Sequence, residues 1–161
     1  LKRCYVSGSA CEDLAAALVA NKSLVRMDLS GNRLGLRGLK LLCEGLQLKI
    51  CQLTAAACED LASTLSVNQS LRELDLSLND LGDPGVQLLC VGLSHPTCKL
   101  QTLRLDSCSL TAKACEPLSC ILEVNQTLTE LHLTNNALRD PGVRLLCKRL
   151  GHPGCKLRVL W

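Results

Sequence analysis

Leucine returns along this chain at a fixed stagger. Leu71-Arg-Glu-Leu74-Asp-Leu76-Ser-Leu-Asn79-Asp-Leu81-Gly-Asp-Pro-Gly-Val86 comes back as Leu128 through Val143, and more loosely as Leu24 through Leu39. A second unit alternates with it. Cys108-Ser-Leu110-Thr-Ala-Lys-Ala-Cys115-Glu-Pro-Leu118 matches Cys51 through Leu61, and Cys4 through Leu14 is a third copy. Leu71, Leu100 and Leu128 open successive half-repeats, the first step one residue longer than the second, so the period is a pair of unequal halves.

Each half-repeat holds L-x-x-L-x-L followed by Asn or Cys, the pattern of one short strand and one helix. Side chains alternate along a strand, so in Leu103-Arg104-Leu105 the leucines face inward and Arg104 outward. Apolar residues then recur at helical spacing, as in Val86, Leu89, Cys90 and Leu93. The spacing predicts helices over Ala10–Ala20, Leu36–Gly45, Ala57–Val67, Gly85–Leu93, Ala114–Val124 and Gly142–Leu150. Asp83-Pro84 and Asp140-Pro141 put a capping acceptor and a proline where helices begin. Asn21, Asn68 and Asn125 fall where helices end, at positions that suit a left-handed residue. Narrow strands on one side and wide helices on the other predict a curved α/β solenoid, a horseshoe fragment with a concave parallel sheet and convex helices.

One join departs from the period. After Leu93 the chain uses Ser-His-Pro-Thr-Cys-Lys-Leu to reach the next strand, but Gly45 runs directly into Leu46-Gln-Leu48-Lys-Ile-Cys51, ten residues short. This reads as a missing loop near 45–47, with a true deletion as the alternative. Both ends of the chain fall inside repeats and no polar cap is evident, so residues 1–161 are expected to be one domain of about six half-repeats from a longer polypeptide.

Composition sharpens the picture. Leucine fills 38 positions, phenylalanine is absent, and Tyr5 and Trp161 are the only aromatics. A core built from one side chain suits a small packing unit repeated many times. The net charge of +3, with both signs scattered, gives no footprint for nucleic acid or an anionic membrane. No apolar run approaches the roughly 20 residues of a membrane span, and Leu1-Lys2-Arg3-Cys4 does not open a signal peptide.

Eleven of the 12 cysteines lie in repeat columns, Cys120 being the exception. Column mates are two strands apart, about 9.6 Å at the usual strand spacing, beyond the roughly 7 Å a disulfide allows. They read as buried thiols in a reducing compartment. Cys4, Cys51 and Cys108 hold the corner where the other half-repeat has Asn32, Asn79 and Asn136, whose amides are expected to tie adjacent turns together. His95-Pro-Thr-Cys98 and His152-Pro-Gly-Cys155 each resemble half a zinc site, but the halves lie two helices apart, so a repeated surface turn is expected and no metal. Asn21-Lys-Ser23, Asn68-Gln-Ser70 and Asn125-Gln-Thr127 fit a glycosylation triplet, yet turn chemistry explains all three. No phosphate loop, nucleophile elbow or H-E-x-x-H pair is present, so neither an enzyme nor a cofactor is expected.

These phrases resemble a known set. The alternating 28/29 pattern, with Leu-Leu-Cys, Ala-Cys-Glu-Asp-Leu and His-Pro-x-Cys-Lys-Leu, is similar to the ribonuclease-inhibitor subtype of leucine-rich repeats. More narrowly, Val67-Asn68-Gln-Ser-Leu-Arg-Glu-Leu-Asp-Leu-Ser77, Arg26-Met-Asp-Leu-Ser-Gly-Asn32 and Cys147-Lys-Arg-Leu150 resemble the C-terminal repeats of the NLRP family, innate-immune receptors with NACHT and pyrin domains. The resemblance implies a cytoplasmic, regulatory protein-binding module. Its partners would be signalling proteins or the receptor's own NACHT domain, which this chain does not contain.

The expected contact surface is the outward strand set Arg26, Asp28, Lys49, Arg72, Asp75, Arg104, Asp106, Glu130, His132, Arg158 and Trp161. Mixed charge there suits protein partners. The alternative is a ribonuclease-inhibitor-like protein that blocks an enzyme on its concave face. That role favours acids and aromatics, whereas bases here at least match acids. An extracellular ectodomain is a third reading, disfavoured by the columnar thiols.

Overall fold

The computed structural model describes residues 53–69 and 71–161, together with Cys4, Val6, Ser7, Ala10, Asp13, Met27–Asp28 and Leu46–Gln47. Among the described residues, six short strands form one parallel sheet in chain order: β1 Met27–Asp28, β2 Leu46–Gln47, β3 Glu73–Asp75, β4 Thr102–Arg104, β5 Glu130–His132 and β6 Val159–Leu160. The register puts Met27, Leu46, Leu74, Leu103, Leu131 and Leu160 in one column. From Leu46 onward each member of the column lies one half-repeat after the last, as the period predicts. The step from Met27 to Leu46 is far shorter, and β1 still pairs with β2. The intervening stretch exceeds the dozen or so residues that a parallel crossover requires.

That register corrects one strand position. Gln47 pairs with Asp28 and Asp75, so Gln47, not Lys49, stands in the row of Arg104. Both Leu46-x-Leu48 and Leu48-x-Ile50 satisfy a two-residue alternation, and pairing decides between them. Lys49 lies outside the described residues.

The helices are α1 Ala55–Val67, α2 Gly82–Leu93, α3 Cys115–Val124 and α4 Arg139–Leu150, with a 3-10 turn over Ala112–Ala114 leading into α3. α1, α2 and α4 start two or three residues before their apolar stripe, with first residues that are exposed or only partly buried, whereas α3 starts at buried Cys115, one residue after the expected Ala114. The helices expected over Ala10–Ala20 and Leu36–Gly45 lie outside the described residues, apart from Ala10 and Asp13.

Asp83 is not a cap. Its carboxylate accepts the Thr111 N–H at 2.8 Å and the Thr111 hydroxyl at 2.6 Å, joining one half-repeat to the next. Asn68 and Asn125 are extended, not left-handed, at φ −80° and −77°. Their side chains serve the turn instead. Asn125 Oδ1 accepts from the Thr127 and Leu128 amides, and its Nδ2 donates to the Leu93 carbonyl of the preceding half-repeat. Among the described residues, left-handed φ occurs at the strand exits, at Leu78, Ser107 and Asn135, and nearer the helices, at Ser109, Gly82 and Arg139.

Leu71, Leu74, Leu76, Leu100, Leu103, Leu105, Leu128, Leu131 and Leu133 form the buried ribbon between sheet and helices. At about 1.5–3 kcal/mol for each buried leucine, this ribbon is the main term holding the stack together.

Candidate functional site

The corner residues act as expected where they are described. Asn79 Oδ1 accepts the Leu53 amide across to the preceding turn, and Asn136 Oδ1 accepts the Cys108 and Leu110 amides. Asn136 Nδ2 also donates to the Leu105 and Leu133 carbonyls. In the other half-repeat Cys108 Sγ donates to the Leu76 carbonyl at 3.3 Å. Burial pushes the Cys58 and Cys90 thiols up to about 12 and Cys108 to about 11, so these are inert packing groups. His95 Nδ1 is held by Thr97 Oγ1 at 2.7 Å, and His152 Nδ1 accepts the Gly154 amide, so both rings serve their own turns.

With the corners fixed, the outward strand positions sort into three groups. The first is a contact cluster across three neighbouring strands. Arg104 Nη1 lies 2.8 Å and 3.1 Å from the two ring nitrogens of His132, and its Nη2 is 3.3 Å from Glu130 Oε1. The same Glu130 oxygen meets His132 Nε2, while Oε2 accepts from Thr102 at 3.4 Å. Trp161 stacks on the His132 ring, with centroids 6.0 Å apart and planes at 22°. The His132 hydrogen bond, aided by the nearby Arg104 charge, holds the Glu130 carboxyl below the usual carboxylate range. Arg104 is half-buried with unused donors, and Trp161 is exposed.

The second group serves the strand exits. Asp75 Oδ1 accepts the Ser77 amide, and Asp106 accepts the Thr134 amide at 2.7 Å and the Ser77 hydroxyl. The third group lies away from the centre. Arg72 donates to the Gln69 carbonyl at the preceding turn, and Arg158 is exposed at the sheet's end. Asp28 is in β1, although its side chain is not described, and Arg26 lies outside the described residues. Sequence reasoning missed Gln47, Thr102 and Glu73. Glu73 is exposed in the same row as Thr102 and Glu130, and its place before the first leucine of L-x-L was the available signal.

Parallel strands in chain order, alternating with helices from β2 onward, with corner asparagines and cysteines, define a leucine-rich-repeat protein. The Leucine Rich repeat family model matches residues 20–43, 67–90 and 124–147. The solved structure of Leiomodin-1 Actin-Binding Site 2 shares the fold, with a TM-score of 0.64 and 15% identity over 95% of this chain and 78% of that one. The whole chain is 45% identical to NACHT, LRR and PYD domains-containing protein 12 of Homo sapiens, and 42% to that of Mus musculus. It is also 43% identical to the Ribonuclease inhibitor of Mus musculus, covering 25% of it. Along its full length the chain is similar to the NACHT, LRR and PYD domains-containing proteins, member twelve among them. It spans 16% of the length of those relatives, and the alignment to them runs over 171 positions against 161 residues here.

Proposed function

We propose that this chain is a regulatory, protein-binding module of a cytosolic innate-immune signalling protein, and that it holds partners on its concave sheet. The observation that carries this is the Arg104–Glu130–His132–Trp161 cluster. Its arginine is already oriented by two neighbours, so a partner carboxylate meets a prepared donor at little cost in side-chain entropy. Trp161 beside it supplies the kind of aromatic anchor that concentrates binding energy. The partners are proteins, among them the NACHT domain of the same receptor. The assigned residues bind and position; none is given a catalytic role, and neither nucleic acid nor a membrane is among the ligands.

We read residues 1–161 as one repeat domain lacking a ten-residue loop near 45–47. The short step from β1 to β2 and the ten surplus positions in the alignment support that reading.

The test is a pull-down comparing the chain with Arg104→Glu and Arg72→Glu variants. Loss of partners with Arg104→Glu and retention with Arg72→Glu is expected, and identical partners for all three would rule out the cluster. The likeness to a ribonuclease inhibitor favours a second reading, a module that blocks an enzyme. Nanomolar inhibition of a ribonuclease at low salt would select it over the first.

A further inference from the structure

The outward side chains of β4 lean one way. Arg104 spends Nη1 on the His132 ring and Nη2 on Glu130, and Thr102 donates to Glu130 as well, so both reach forward to β5. Neither turns back to β3, although the sheet register sets Thr102 beside Glu73 and Arg104 beside Asp75. Of the two neighbours of Asp75 in its row, Gln47 is neutral and Arg104 is drawn off by a carboxylate one strand further on.

Two acids on β3 are thereby left without a cation. The Glu73 side chain is exposed and, among the described residues, has neither a hydrogen bond nor an ion pair. Asp75 uses Oδ1 for the Ser77 amide, and its Oδ2 meets no donor among the described residues. Arg72, the nearest base in the chain, folds back onto the Gln69 and Leu71 carbonyls. Residues two apart on a strand share a face, so β3 presents a pair of bare carboxylates next to the half-buried guanidinium of β4, which still has unused donors.

Adjacent strands of opposite sign specify the partner, given the reading above that the sheet holds proteins. We propose that this surface takes a helix laid across the strands, with Lys or Arg over Glu73 and Asp75 and, one turn along, Asp or Glu at Arg104. The spacing selects a helix. Neighbouring strands lie about 4.8 Å apart, and helix residues three apart rise about 4.5 Å while staying on one face. An extended segment steps about 6.7 Å between side chains of one face and overshoots the next strand. Charge selects against single-sign segments: a polyanion meets the β3 carboxylates, and a polycation meets Arg104.

Trp161 is the only tryptophan and stacks on His132, so its fluorescence reports on the cluster directly. The full chain is titrated with three alanine-based helical peptides of about 20 residues: one with Lys three residues before Glu, one with Gln in place of that Lys, and one with Lys two residues before Glu. The first should bind about three- to fivefold more tightly than the others, the range of an exposed ion pair. Glu73→Gln with Asp75→Asn should remove that advantage and leave the Gln peptide unchanged, and the Asn keeps an oxygen for the Ser77 amide. Arg104→Gln should weaken all three peptides. Equal affinities on the wild-type chain, an advantage that survives the β3 substitutions, or no binding in either fluorescence or calorimetry overturns the proposal. Where the advantage is missing but Arg104→Gln still weakens every peptide, the helix assignment falls alone, and the pull-down with Arg104→Glu judges the proposed function separately.

Discussion

Gly92 has no room for a side chain. A Cβ there would come within 2.4 Å of the Ala62 carbonyl oxygen and 2.7 Å of the Ala62 Cα, both backbone atoms of the neighbouring helix. Gly92→Ala must therefore push α1 and α2 apart, and urea unfolding should show a loss of at least about 1–3 kcal/mol. Gly151→Ala is the control, because a Cβ there meets nothing within 4 Å, and it should stay within about 0.5 kcal/mol of wild type. Glu130 gives a pH prediction with a fixed sign. Its carboxyl titrates below the ordinary range when folded, so the stabilisation it provides is present above that range and is lost as pH falls through the lowered value. Glu130→Gln should remove that acid-side slope from the stability profile, and an unchanged slope would contradict the hydrogen bond to His132. Four of the eleven positions expected to face outward, Arg104, Glu130, His132 and Trp161, form one cluster, and strand alternation was enough to put them on one face. The roles of Asp75 and Asp106 were not legible, because a strand pattern shows which face a side chain takes but not which backbone amide it meets.

Among elements, the joins between helix and strand carry most of the polar bonding. Buried Asn125 satisfies two amides and one carbonyl, so Asn125→Ala leaves groups unpaired at about 1–3 kcal/mol each. Asp83→Ala breaks an exposed link and should cost under about 1 kcal/mol. Thermal melts of the two variants check the order, and a larger loss for Asp83→Ala would reverse the account of what holds the turns. The existence of four helices was legible from apolar spacing, and so was the start of α3 at buried Cys115, but α1, α2 and α4 start two or three residues earlier than expected, where exposed or partly buried residues leave no apolar mark. Asn at a helix end and Asp before proline were read from habit as a left-handed stop and a cap. Asn68 and Asn125 instead accept from amides two or three residues on, and the bonds from Asn125 to the Leu93 carbonyl and from Thr111 to Asp83 cross to another half-repeat, a relation that local sequence cannot express.

At the scale of the molecule, the fold follows from one arithmetic fact, that leucines one half-repeat apart in the chain stack at one strand spacing. The order and direction of the strands were legible for that reason. The β2 register was misplaced by two residues because the shortened half-repeat offers two alternating triplets; the three-residue distance from Leu105 to Cys108, shared by Leu48 and Cys51, held the answer. Leu103→Ala at the centre of the ribbon should cost about 2–5 kcal/mol in a urea titration, more than any outward-facing substitution on the same strand. The most direct measurement is a set of methyl-to-methyl nuclear Overhauser contacts in a deuterated chain with labelled leucine methyls. The account predicts contacts from Leu74 to Leu103 and from Leu103 to Leu131, and none from Leu74 to Leu131, two strands or about 9.6 Å away. Missing contacts between those neighbours, or a strong one from Leu74 to Leu131, would contradict it.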